Sequence, residues 1–141
     1  MKRILGVDYG ERRVGLAVSD SLLITAQGLD TFDRRTGKLL PHLEHLSKQY
    51  DVGAIVLGHP VSMSGRDNAI SLAVEELAAK IRNRLGVEVV LWDERLTSEE
   101  ARRVLKGKRA GKEAVDRVAA ILILQNYLDS RSGRPAEGSQ E

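Results

Sequence analysis

Cysteine is absent from the 141 residues of this chain. That excludes disulfides, thiolate catalysis and thiolate-bound zinc, and it fits a reducing, cytoplasmic compartment. Aromatic residues make up only 4% of the sequence, too few for the stacking platforms that hold unpaired single strands. No apolar run reaches the roughly 18 residues that a transmembrane helix requires, so no membrane association is expected. Met1-Lys2-Arg3 leads into a strand pattern, without an apolar stretch and cleavage site, so no secretory leader is expected. Charge of one sign is also scarce in the balance: the net value is +2, and any preference for a polyanion must come from local patches.

What remains is the composition of one ordinary globular domain. We expect it to cover residues 1–129. Residues 130–141 are polar and rich in Gly, Pro and Ser, a composition that cannot bury enough apolar surface to order itself. The first third reads as strands at about 3–8, 14–19 and 24–32, joined by short turns, a spacing that favours an antiparallel meander. In the second of these, Val14, Leu16 and Val18 alternate with Gly15, Ala17 and Ser19, giving one bulky and one small face. Leu39, Leu43, Leu46 and Tyr50 then mark a helix over about 38–50, with Pro41 tolerated in its first turn. Ala54-Ile55-Val56-Leu57 is an apolar run of the kind buried on both faces of a parallel sheet. A long helix ending at Gly86, a strand over 87–92, a short helix opened by a Thr97/Glu100 capping box and a last helix over about 113–129 complete the chain. The sum is an α/β domain, a mixed five-stranded sheet flanked by helices.

Three acids stand out. Asp8 ends a buried-type strand and enters a turn bounded by Gly10, which is open to backbone angles closed to other residues; Gly15, without a side chain, lets a backbone or ligand come close. Its alternative reading is a hairpin aspartate that only makes the turn. Asp116 and Arg117 are the only charges between Ala114 and Leu124, in a helix apolar nearly all round. A carboxylate there needs compensation, from an ion or from Lys112 four residues earlier. Asp93-Glu94 lies at the carboxyl end of the last strand, where open α/β sheets bind ligands. Because successive strand residues face opposite ways, only one of the pair can aim at Asp8; Glu94 is preferred, with Asp93 as the alternative. Asp8, Glu94 and Asp116 together form an all-oxygen set suited to Mg²⁺ or Mn²⁺. Two such ions would activate a water and stabilise the leaving oxygen in phosphodiester hydrolysis.

Gly6 to Ala17 (GVDYGERRVGLA), Asp93 to Thr97 (DERLT) and Val115 to Gln125 (VDRVAAILILQ) together resemble the YqgF/RuvX family of small bacterial ribonuclease-H-like proteins. The likeness covers residues 3–129. It implies an RNase H-like sheet of order 3-2-1-4-5 with strand 2 antiparallel, and a divalent-metal nuclease site at Asp8, Glu94 and Asp116. It also implies a hydrolase acting on structured nucleic acid: pre-16S rRNA, matured at its 5′ end in ribosome biogenesis, or alternatively a Holliday junction in branched DNA. The first substrate needs one active site and the second two, so monomer and homodimer both stay open. One loop departs from the family pattern: an apolar residue is replaced by His59, and an acid by Ser64.

Arg102, Arg103, Lys106, Lys108, Arg109 and Lys112 form a basic stretch just before the helix that bears Asp116, suited to the sugar-phosphate backbone. Arg12 and Arg13, beside Asp8, are further phosphate contacts, whereas Arg34, Arg35 and Lys38 read as solvated charges. His42 and His45 read as exposed surface, and His59 as a turn residue that could otherwise shuttle a proton or touch substrate. An ATP-binding protein of the actin-like kind would need a second phosphate-binding hairpin, for which the chain is too short. A non-catalytic nucleic-acid-binding or ribosome-assembly factor on a vestigial nuclease fold is opposed by the presence of all three acids.

Overall fold

The computed structural model describes residues 2–60, 65–94 and 112–131, with backbone only at 65–68 and 112–116. Five strands form one sheet: β1 (Arg3–Asp8), β2 (Arg13–Ser19), β3 (Ala26–Asp33), β4 (Val52–His59) and β5 (Glu88–Asp93). Their order is β3-β2-β1-β4-β5, as expected. β2 runs antiparallel to both β1 and β3, while β4 runs parallel to β1 and to β5. Among the described residues three helices accompany the sheet: α1 (Leu39–Gln49), α2 (Gly65–Leu85) and α3 (Lys112–Arg131). Helix α3 runs on to Arg131, so Ser130 and Arg131 belong to it rather than to the expected tail over 130–141; the rest of that tail and the expected capping box at Thr97 and Glu100 lie outside the described residues.

Strand alternation divides the core in two. Leu5 and Val7 of β1, Val14, Leu16 and Val18 of β2, Ile55 and Leu57 of β4 and Val89 of β5 face α1 and α2. Ile4, Ala17, Ala54 and Val56 face α3, against Ala120, Ile123, Leu124 and Leu128. The central strands are thus buried on both sides, which explains their unbroken apolar runs. The small face of β2 is the one turned to α3, and the same economy of size recurs on β1. A Cβ on Gly6 would lie 2.8 Å from Leu124 Cβ and 3.3 Å from the Ala120 carbonyl oxygen. Helix α3 therefore sits closer to the middle of the sheet than larger residues allow.

Element ends follow local chemistry. Gly86, at φ +68°, terminates α2, its N–H bonding the Arg82 carbonyl at 3.1 Å. β3 starts at Ala26 rather than 24, because the N–H groups of Ile24 and Thr25 donate to Asp20 Oδ1 at 2.7 and 3.1 Å instead of to a neighbouring strand. These two bonds hold the Asp20 carboxyl below its usual range. His42 is not simply exposed, as expected from sequence. Its ring stacks on Phe32 with centroids 4.5 Å apart, and it is half-buried. Gly10 does not use a positive φ; its need is steric, since a Cβ there would collide with the Arg13 carbonyl oxygen across the turn.

Candidate active site

The direction of α3 decides what it brings to the sheet. Gln125 accepts from the Ala26 N–H at 2.9 Å, while Arg117 Nε donates to the Leu29 carbonyl at 3.0 Å. Moving forward along β3 therefore means moving backward along α3. Since β3 and β1 point the same way, the N-terminal end of α3 lies over the carboxyl ends of β1, β4 and β5. Those ends carry Asp8, His59 and Asp93 as their last residues.

On β1, Gly6 faces α3, so alternation turns Asp8 to the same side, about 6.6 Å further along the strand. On α3, Asp116 lies one turn before Ala120, about 6 Å along the axis in the same direction. A Cβ on Gly6 would lie 3.3 Å from the Ala120 carbonyl oxygen, and the two steps beyond this close approach match. For Asp116, Lys112 and the other residues of 112–116 only this backbone position is described.

The third acid reaches the same place through a missing side chain. Continuing the register of Val7 with Leu57 by one residue sets Asp8 beside Gly58 on β4, a strand spacing of about 4.8 Å away. Glu94 Cγ and Cδ both lie 3.4 Å from where a Cβ on Gly58 would be, and Ile123 Cδ1 lies 2.7 Å from the same point. The Glu94 side chain thus lies on the α3 face, over Gly58 and next to the position of Asp8. Asp93 pairs in register with His59, and alternation puts both on the opposite face, with α2. Sequence reasoning does not reach the role of Gly58, although a glycine at the end of a buried apolar strand is its signal.

Among the described residues no three His, Asp or Glu side chains stand together as a metal-holding group, the side chain of Asp116 not being among them. Asp8 and Glu94 do fit a hard cation: two carboxylates turned to one face of the sheet at neighbouring positions.

His59 belongs elsewhere. Its Nε2 lies 2.7 Å from Ser71 Oγ and 3.0 Å from Glu75 Oε2, both on α2, and its side chain is 17% exposed. It ties β4 to α2, away from the acidic face, and a proton-shuttle role there finds no support. Arg117 also turns from the acids, its stem lying on Gly28 and its Nη2 3.3 Å from Asp30.

Of the expected phosphate contacts, Arg102, Arg103, Lys106, Lys108 and Arg109 lie outside the described residues. Arg12 is exposed, 3.9 Å from Asp33, whose carboxyl is held below its usual range by the Arg35 side chain and backbone N–H. Arg13 opens β2 and shares the α3 face with Gly15, the register partner of Asp8. Arg34 corrects its reading as a solvated charge. Its Nη1 donates to the carbonyls of Gly10 and Glu11 at 3.3 and 2.7 Å, its guanidinium lies 4.8 Å from the Tyr9 ring centroid, and its N–H bonds the Arg12 carbonyl at 2.8 Å. It grips all four residues of the turn that follows Asp8. Nothing in the sequence signals this, because the partners lie more than 20 positions away.

Comparison with known proteins adds the family. Residues 2–130 match the family model described as RuvX, Holliday junction resolvase. A protein of Desulfitobacterium hafniense (strain DSM 10664 / DCB-2) is 44% identical over 133 residues, covering 90% of this chain and 92% of its own. One of Koribacter versatilis (strain Ellin345) is 45% identical over 135 residues, covering 92% and 88%. Both bear the provisional name pre-16S rRNA nuclease. Among solved structures, T. thermophilus RuvC in complex with a Holliday junction substrate superposes with a TM-score of 0.64 at 16% identity, covering 94% of this chain and 97% of that one. That likeness shows the shared fold, the RNase H-like sheet of the resolvases.

Proposed function

This chain belongs to the RuvX family, and from that premise we propose that it is a divalent-metal-dependent nuclease hydrolysing phosphodiester bonds in structured nucleic acid. The observation that carries the reading is Glu94 lying over Gly58 on the face to which Asp8 turns, with the backbone of Asp116 one helical turn before the close approach of Gly6 and Ala120. In this reading Asp8, Glu94 and Asp116 would hold two Mg²⁺ or Mn²⁺ ions. Such ions, when bound, lower the pKa of an attacking water and neutralise charge that develops on the phosphate.

The chain's own residues do the rest. Asp8, on the central strand, would be the ligand common to the ions, with Glu94 on β5 and Asp116 on α3 each completing one site. Arg34 keeps the 9–12 turn in one conformation and so fixes the carboxylate that precedes it. Arg12, Arg13 and the 102–112 basic stretch would hold phosphates of the substrate backbone. The protein acts in the cytoplasm and needs no covalent enzyme intermediate.

The names of the relatives favour precursor 16S rRNA as substrate, and the family resemblance implies processing at its 5′ end. The description of the family model favours a second reading, resolution of branched DNA. Both substrates present the same phosphate to the same acids, so the test is comparative. The purified protein with Mn²⁺ is given a pre-16S fragment and a four-way junction side by side. We expect faster cleavage of the rRNA fragment and none by Asp8→Asn, with binding retained. Faster cleavage of the junction would transfer the assignment to DNA. Equal cleavage by wild type and mutant would identify a contaminant, and leave a nucleic-acid-binding or assembly factor on a vestigial nuclease fold.

A further inference from the structure

On the sheet face opposite α3, a groove of about 610 Å³ runs between α1 and α2 and opens at the turn after Asp8. Five cationic side chains line it: Arg34, Arg35, Lys38, Lys80 and Arg84. Among the described residues Glu11 and Glu76 are its only acids, so this described lining carries a net charge of +3 (five cations less two carboxylates). Three of the cations are already engaged: Arg35 with Asp33 at 3.2 Å, Arg84 with Glu44 at 3.3 Å, and Arg34 with the turn carbonyls. Among the described residues neither Lys38 nor Lys80 forms an ion pair. Lys38 also stands at the N-terminus of α1, whose first turn holds no acidic residue, so the helix dipole adds to the positive potential rather than offsetting it.

The position of the groove identifies its ligand. Tyr9 lines it and directly follows Asp8, the two side chains passing to opposite faces of the same sheet edge. A chain of phosphates crossing that edge therefore meets both. From Ala73 to Arg84 the α2 wall is about 16 Å long, the axial span of roughly five nucleotides of one duplex strand. A smaller cavity of about 150 Å³ joins the groove at Tyr9 and Arg34, with Ala69, Ile70 and Ala73 as an apolar floor suited to the face of a sugar or base.

We propose that this groove is a second nucleic-acid contact, which takes the sugar-phosphate backbone flanking the cleavage position while the acids on the other face take the scissile phosphate. The proposal rests on the nucleic-acid reading above. It draws on residues other than the 102–112 stretch, among them Arg34, Arg35 and Lys38, which read as solvated charges in the sequence.

The test is the double substitution Lys38→Gln/Lys80→Gln in the full chain, with Lys48→Gln, an exposed lysine outside the groove, as control. Binding of a labelled pre-16S fragment and a four-way junction is measured by fluorescence anisotropy in EDTA from 50 to 200 mM salt, and folding by thermal melting. We expect about tenfold weaker binding and a salt slope shallower by about 1.8 on duplex DNA, that is about 0.9 for each phosphate the protein no longer neutralises. The control should match wild type, and the Mn²⁺-dependent kcat at saturating substrate should stay unchanged while KM rises. Unchanged affinity and slope would overturn the proposal and point to an acidic protein as the groove's occupant; an equal loss in the Lys48 control would overturn it as a general charge effect. Failure of the nuclease reading looks different: no cleavage by wild type, yet a groove-dependent loss of binding.

Discussion

Glu94 and Gly58 share one space: the glutamate's Cγ and Cδ lie 3.4 Å from the point that a Cβ on Gly58 would occupy, with Ile123 Cδ1 2.7 Å from it. Gly58→Ala must therefore displace Ile123, the nearer and more firmly packed neighbour, or push Glu94 off the face it shares with Asp8. We expect a stability loss of roughly 1–3 kcal/mol from overpacking, read by chemical denaturation. Cleavage should fall on the order of 10²-fold from misplacement of the carboxylate. Full activity in the alanine variant would show that Glu94 does not need that space.

Asp93 and Glu94 are neighbours with opposite outlooks, and substitution separates them. Glu94→Gln should lower Mn²⁺-dependent cleavage by at least about 10²-fold, as expected when a group stabilising transition-state charge is removed. Asp93→Asn, on the α2 face beside His59, should keep activity within a few-fold. The opposite ranking in a single-turnover assay would make Asp93 the ligand.

Arg117 anchors the N-terminal end of α3 to β3, its stem filling the space above Gly28 and its Nε bonding the Leu29 carbonyl. Arg117→Met keeps much of the stem and removes the donor. We expect a loss of about 1–2 kcal/mol, most of it from the half-buried carbonyl bond, since the pair with exposed Asp30 is solvent-screened. Urea denaturation should show a lower midpoint with an unchanged slope.

His42, stacked on Phe32, is held below its usual 6.5, first by loss of hydration and then by the nearby His45. The unfolded chain therefore binds this proton more tightly than the folded one. Its contribution to stability is complete above about pH 6.5 and is lost as pH falls from there through the lower folded value. Denaturation midpoints measured from pH 7.5 to 5 should decline in the wild type and less steeply in His42→Gln. Parallel declines would assign the slope to other groups.

Much of the sheet was legible in the sequence because its determinants are local. The 2-residue alternation of Val14, Leu16 and Val18 with Gly15, Ala17 and Ser19 separates two faces wherever the strand is placed. The stop at Gly86 needs only a backbone angle. The grip of Arg34 on the 9–12 turn, the tie of His59 to Ser71 and Glu75 and the stacking of His42 on Phe32 join residues 10 or more positions apart, and no residue pattern announces them.

The same division holds for the site. Asp8, Glu94 and Asp116 were recognisable as candidates from their own surroundings: a strand end, a strand exit, an acid in an apolar helix. Whether Asp93 or Glu94 turns to Asp8 depended on the phase of β5 relative to β1, which is set by the register of two parallel ladders through β4. Only packing decided that phase, because it required a glycine at 58 to leave the room that one carboxylate fills.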